Sequence, residues 1–139
     1  MSTKKITGHC LCNKVRITAS MGELNAGSCH CESCRRWCSG PFFAIGCEDR
    51  VEIEGKEWIK TYDSSDWADR GFCSECGTNL FYRLKQQNHY MLAVGLFEDQ
   101  SGFNLERQVF IDEKPAFYNF SEETKNMTGP EIFALFGSS

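Results

Sequence analysis

GHCLCNKVRIT, residues 8–18, sets two cysteines one residue apart directly ahead of a run that alternates apolar and polar side chains. From Lys14 to Thr18, Val15 and Ile17 share one face while Lys14, Arg16 and Thr18 share the other, the period of a half-buried strand. Cys10 and Cys12 obey the same two-residue period, so in extended backbone their thiols project to one side and can chelate one ion. Asn13 follows the second thiol and suits a tight turn, because asparagine tolerates the left-handed conformation.

Working outward, five more cysteines fall into two further groups: Cys29, Cys31 and Cys34 in CHCESC, and Cys73 and Cys76 in CSEC. Tetrahedral zinc takes four protein ligands in a structural site and three, with one open position, in a catalytic one. The simplest partition therefore gives Cys10, Cys12, Cys73 and Cys76 to one closed site. It leaves Cys29, Cys31 and Cys34 as a second site with a vacancy. Gly77, just after Cys76, can adopt the positive φ that a turn around a metal needs. A disulfide framework is the weaker reading, since it calls for an oxidising compartment and usually a smaller chain. The opening residues MSTKKITGH lead into no apolar leader segment, and no run reaches the roughly 18 apolar residues of a membrane span. The expected setting is cytoplasmic, with reduced thiols. A redox-active CSEC is the remaining competitor, weakened by the two other ligand groups.

The remainder of the chain reads as β. Short strands are expected over Phe42–Ile45, Val51–Ile53, Trp58–Tyr62, Asn79–Leu84, Tyr90–Leu96, Gln108–Ile111 and Ala116–Phe120, with Gly46–Asp49 and Asp112–Pro115 as turns. Helices are expected over Glu32–Cys38 and from Pro130 through EIFALF. Asp63, Asp66 and Asp69 read as a solvated loop. Many short strands and no linker or repeat predict one mainly β, antiparallel domain over residues 1–139.

Charge excludes one partner class. Two zinc ions add four positive charges and seven thiolates add seven negative ones, taking the formal charge from −4 to −7. Such a chain is a poor nucleic-acid binder, and Arg35-Arg36-Trp37 is too short a basic feature to reverse that.

The segments GHCLCNKVRI, SCHCESCRR, RGFCSECGTNLFYR and FIDEKPAFYNF, in that order between residues 8 and 120, resemble the glutathione-dependent formaldehyde-activating enzyme family, which includes a centromere-associated branch. The resemblance implies a β-tent fold stapled by a four-cysteine zinc site. It also implies two zinc ions, one structural on Cys10, Cys12, Cys73 and Cys76 and one catalytic on Cys29, Cys31 and Cys34. The implied activity is carbon–sulfur lyase chemistry, with glutathione and formaldehyde condensing to S-(hydroxymethyl)glutathione. A zinc held by three thiolates suits the binding and exchange of sulfur ligands better than water activation, which fits a lyase acting on a glutathione or other thiol adduct of an aldehyde.

Other residues are read with this chemistry in view. Arg35, Arg36 and Arg70 are candidates for substrate carboxylates, because guanidinium pairs bidentately with them. Trp37, Phe42, Phe43 and Phe72 flank the ligand groups and are candidate pocket walls, although such aromatics also build β cores. His30, between two ligands, points away from the metal in extended backbone and is expected to support the site or lie at the surface, as is His9; His89 is expected to be exposed. Cys47 reads as a spare thiol in a turn. Cys38 departs from the family pattern, which carries a small residue there. It reads as a small buried thiol, or as a fourth ligand one helical turn beyond Cys34 that closes the second site. Two alternatives to an enzyme follow, a non-catalytic zinc-stabilised binding module and a thiol-based redox sensor.

Overall fold

The computed structural model describes residues 3–136, and the chain divides into two compact units, one made of Met1–Leu24 and Ala44–Gly102, the other of Asn25–Phe43 and Phe103–Ser139. In chain order the elements are β1 (Lys4–His9), β2 (Arg16–Met21), β3 (Asn25–Cys29), α1 (Glu32–Cys38), β4 (Phe42–Glu48), β5 (Val51–Glu54), β6 (Ile59–Asp63), β7 (Ala68–Cys73), β8 (Asn79–Leu84), β9 (His89–Ala93), β10 (Asn104–Val109), β11 (Lys125–Met127) and α2 (Gly129–Phe136). The protein is mainly β, as its alternating runs predict. No helix among the described residues is long and apolar enough to cross a membrane.

The first unit is antiparallel. β1, β2 and β5 form one ladder, and β4, β9, β8, β7 and β6 are neighbours in that order in another. Alternation along β2 sends Ile17, Ala19 and Met21 inward. Ile17, Ile45, Leu80 and Leu92 are fully buried, each contributing about 1.5–3 kcal/mol relative to exposure. Residues 10–15 connect β1 to β2 and residues 74–78 connect β7 to β8, so each cysteine pair of the four-cysteine group falls at a hairpin connection.

Three expectations are corrected here. The aspartate run is no uniform solvated loop: Asp63 and Asp66 are exposed, but Asp69 is 4% exposed within β7 and pairs with Arg83 on β8. β7 escaped the hydrophobic pattern because its buried positions include Asp69, Arg70 and Gly71. Gly71 has a plain reason to lack a side chain, since the Phe81 ring of its cross-strand partner lies 2.3 Å from where a Cβ would stand. Second, β4 runs through Gly46 and Cys47 to Glu48, so Cys47 is a fully buried strand residue. The turn comes afterwards, where Glu48 takes φ 52°. Third, His89 opens β9 half-buried, so it is not the exposed loop histidine expected.

In the second unit β10 lies between β3 and β11 and pairs with both in parallel, with Cys29 opposite Val109 and Gln108 opposite Asn126. Residues 116–120 form no strand. Instead the Lys114 ammonium donates to the carbonyl oxygens of Pro115 and Tyr118, holding the segment as a loop. Helix α2 begins where expected, with Thr128 and Glu131 exchanging backbone and side-chain hydrogen bonds of 2.8 and 3.3 Å, a capping box.

Candidate metal centres

The first centre is built from two turns. Asn13 N–H donates to the Cys10 carbonyl at 3.0 Å with Asn13 at φ 70°, and Gly77 N–H donates to the Cys73 carbonyl at 2.8 Å with Gly77 at φ +80°. Both positions were expected to take left-handed backbone. Thr78 joins the turns by accepting from Leu11 N–H at 3.0 Å, and its hydroxyl lies 3.2 Å from the Cys76 sulfur. Lys14 joins them again, 3.3 Å from Glu75 and 3.9 Å from the centre of a Trp58 ring.

The thiols of Cys10, Cys12, Cys73 and Cys76 all lie within 4.8 Å of one another. Cys10 and Cys12 sulfurs are 3.6 Å apart, and those of Cys12 and Cys73 are 3.7 Å apart. A tetrahedral ion with metal–sulfur bonds near 2.3 Å sets its sulfurs about 3.8 Å apart, so the group fits zinc in donor chemistry and in size. Burial pushes the Cys76 thiol up, but hydrogen bonds from the Thr78 hydroxyl and from the Thr78 and Cys12 backbones outweigh it and bring the group down to about 5.

The second centre holds Cys29, Cys31 and Cys34, again with every thiol within 4.8 Å of the others. Cys29 ends β3, Cys31 caps α1, and Cys34 lies in its first turns. The Cys31 sulfur accepts from Cys34 N–H at 3.3 Å, which draws these two thiol-bearing residues together. The Cys31 and Cys34 sulfurs beside it, together with burial, push the Cys29 thiol up. Three sulfurs this close could ionise together only with a cation among them, so this group also fits a soft divalent metal.

Cys38 is half-buried and stands outside the three-thiol group. Although it shares a helix face with Cys34, it sits a full turn farther along α1, about 6 Å at 1.5 Å per residue.

The candidate substrate residues divide between the units. Arg35, Arg36 and Trp37 lie on α1 in the unit of the three-thiol group, whereas Arg70 and Phe72 lie on β7 in the other. Arg36 is exposed and pairs with Glu32 at 3.0 Å. Arg70 is 5% exposed, with its guanidinium 4.9 Å from the Tyr82 ring centre. Arg35 donates through Nε to the His30 carbonyl at 2.9 Å, and no ion pair joins it to a carboxylate among the described residues. Trp37 packs on Phe42, and Phe43, 40% exposed, packs on Phe120.

His30 is fully buried, with its ring nitrogens 2.8 Å from the Tyr118 hydroxyl and 2.8 Å from the Gln108 side-chain oxygen. Burial, and then the nearby Lys114 and Arg35 cations, lower its affinity for a second proton against the pull of Gln108. Tyr118, Gln108 and Thr78 were not anticipated as site residues. The partners of His30 lie 88 and 78 positions away in the chain, so no local spacing announces them. His9 reaches the adjacent Cys10 carbonyl at 2.7 Å and the sequence-distant Glu98 at 3.0 Å.

Comparison with known proteins gives a consistent picture. Residues 5–113 match the family model described as glutathione-dependent formaldehyde-activating enzyme. The chain is 36% identical over 126 residues to an uncharacterized lyase of Schizosaccharomyces pombe, covering 90% of this chain and 92% of that one. It is 26% identical over 89 residues to a putative glutathione-dependent formaldehyde-activating enzyme of Talaromyces marneffei, covering 62% of this chain and 48% of that protein. A crystal structure of a Rhodobacter sphaeroides protein superposes with a TM-score of 0.57 at 25% identity, covering 67% of this chain and 88% of its own.

Proposed function

The chain belongs to the glutathione-dependent formaldehyde-activating enzyme family, and on that premise we propose that it is a zinc-dependent lyase that forms or breaks the carbon–sulfur bond between a thiol such as glutathione and an aldehyde such as formaldehyde. Cys10, Cys12, Cys73 and Cys76 hold a structural ion, and Cys29, Cys31 and Cys34 hold a catalytic one. The observation that carries this reading is the inequality of the two groups, four thiols in one and three in the other, with Cys38 outside the second.

When bound at the three-thiol group, zinc supplies a Lewis-acidic centre that keeps an incoming thiol ionised near neutral pH. Cys29, Cys31 and Cys34 would hold the ion, which would offer a remaining position to the substrate sulfur. Arg35 is the arginine best placed to meet a substrate carboxylate, because Arg36 is engaged by Glu32 and Arg70 is buried against Tyr82 in the other unit. Trp37, Phe42 and Phe43 supply apolar surface beside the helix that carries Cys34. Arg70 packs on Tyr82 within its own unit, and Phe72 lies on the same strand.

The test is the rate of S-(hydroxymethyl)glutathione formation from glutathione and formaldehyde, followed by exchange NMR above the spontaneous rate. The wild-type protein accelerates exchange, and Cys31→Ala removes the acceleration while the fold persists. Full activity in Cys31→Ala with native circular dichroism overturns the proposal. No acceleration by the zinc-loaded wild type, with any thiol and aldehyde tried, favours a non-catalytic binding module.

A further inference from the structure

His30 stands between two proposed ligands, yet its side chain goes the other way. In β geometry neighbours alternate, so Cys29 and Cys31 face one side and His30 the other, into the interior of the unit. A buried imidazole is costly unless both nitrogens are bonded, and here both are. Gln108 Nε2 donates to Thr124 Oγ1 at 2.8 Å, and Thr124 donates in turn to Asn126 Oδ1 at 2.6 Å. That polarity leaves Gln108 Oε1 as an acceptor, so His30 carries its proton on Nε2. Among the described residues no carboxylate bonds the His30 ring, and its burial disfavours a second proton. Nδ1 is then an acceptor, and the Tyr118 hydroxyl donates to it.

The backbone of His30 is fixed as firmly. Its N–H donates to the Val109 carbonyl at 3.1 Å, and its carbonyl accepts from Arg35 Nε at 2.9 Å. The rings of Tyr118 and Phe120 pack against the imidazole at centroid distances of 5.5 and 5.7 Å. Every polar atom of the residue is therefore held, and the peptide planes on either side of it cannot turn without breaking one of these bonds.

We propose that His30 is a positioning residue: pinned by Tyr118 and Gln108, it sets the directions of Cys29 and Cys31 so that three thiols converge before an ion arrives. The inference rests on the metal-binding reading of that group and adds Tyr118, which lies beyond the residues matched by the family model. Groups that orient metal ligands typically govern affinity by about 10- to 100-fold.

Cobalt(II) titration of the metal-free protein tests it, read by thiolate-to-cobalt charge-transfer absorption and by competition with a chelator. The binding phase missing from Cys31→Ala identifies the three-thiol group, and the remaining phase, from the four-thiol group, serves as an internal control and a report on folding. Tyr118→Phe keeps the ring and removes one bond; Gln108→Leu removes the other, and Gln108→Glu restores an acceptor for His30. The expected result is an affinity loss of about 10- to 100-fold at the three-thiol phase in Tyr118→Phe and Gln108→Leu, recovery in Gln108→Glu, and an unchanged control phase. A wild-type affinity in Tyr118→Phe and Gln108→Leu, or an equal loss in both phases, overturns the positioning role. Absence of the second phase from the wild type itself overturns the metal-binding reading instead.

Discussion

The sulfurs of Cys12 and Cys73 lie 3.7 Å apart across 61 positions of sequence. Cys12 belongs to the β1–β2 connection and Cys73 ends β7, so an ion held at this contact would tie together two hairpins that pair in separate ladders. Replacing Cys73 by alanine would remove one of the four proposed ligands and leave the buried Cys10 thiol beside the half-buried thiols of Cys12 and Cys76. The expected cost exceeds about 4 kcal/mol, the range that marks loss of a structural metal. Urea denaturation with parallel zinc analysis measures it; a loss below about 1 kcal/mol shows that the group does not staple the fold.

Arg83 and Asp69 are cross-strand partners bonded twice, at 2.7 and 3.2 Å, and this pair is why a charged residue can sit buried in β7. The carboxylate holds the Arg83 guanidinium above its ordinary range. Asp69→Asn keeps the shape and removes the charge, with an expected cost of about 2 kcal/mol, as for hydrogen bonds to ionised groups. The midpoint of urea denaturation should fall while its slope stays constant. An unchanged midpoint means that the pair contributes nothing net.

Cys47 is fully buried, and burial pushes its thiol up from 9.0 to about 12 against a small opposing effect of Arg50. Iodoacetamide at pH 8 should leave Cys47 unmodified in the native protein and label it only after unfolding. The sign of the pH effect follows from linkage. Below pH 9 both states hold the proton, whereas between pH 9 and pH 12 the unfolded chain releases it and the folded chain keeps it. Cys47 therefore lowers stability as pH rises through that window, and Cys47→Ala should flatten the alkaline decline. An identical alkaline decline in the variant would rule this out.

Cys38 lies outside the three-thiol group. Cys38→Ser should therefore bind as much zinc as the parent chain and turn over thiol and aldehyde at a similar rate. Loss of one zinc equivalent in this variant would make Cys38 a ligand and close the proposed open position.

The parts of the site that follow from local chemistry were legible in the sequence. Two-residue spacing paired Cys10 with Cys12 and Cys29 with Cys31, and the left-handed tolerance of Asn13 and Gly77 marked the turns. α1 and β8 occupy the expected ranges for the same reason, since capping and alternation act within a few residues. What was hidden depends on distant partners. β7 has buried polar residues whose acceptability comes from Arg83 and from the Phe81 ring over Gly71. The 116–120 loop replaces a strand because Lys114 takes up its carbonyls. Alternation placed the His30 side chain opposite those of Cys29 and Cys31, but nothing nearby in the chain identifies Tyr118 and Gln108 as its partners.

The inequality of the two thiol groups is tested most directly by zinc K-edge X-ray absorption on the fully loaded protein, with and without glutathione. Without glutathione, two ions sharing seven protein sulfurs should average about 3.5 sulfurs per zinc, with a lighter ligand completing the tetrahedron. Adding glutathione should raise the average to about 4 as its sulfur takes the open position. An average of about 4 sulfurs already present without glutathione, unchanged when it is added, would mean that both sites are closed and that the three-thiol group is not where a substrate thiol binds.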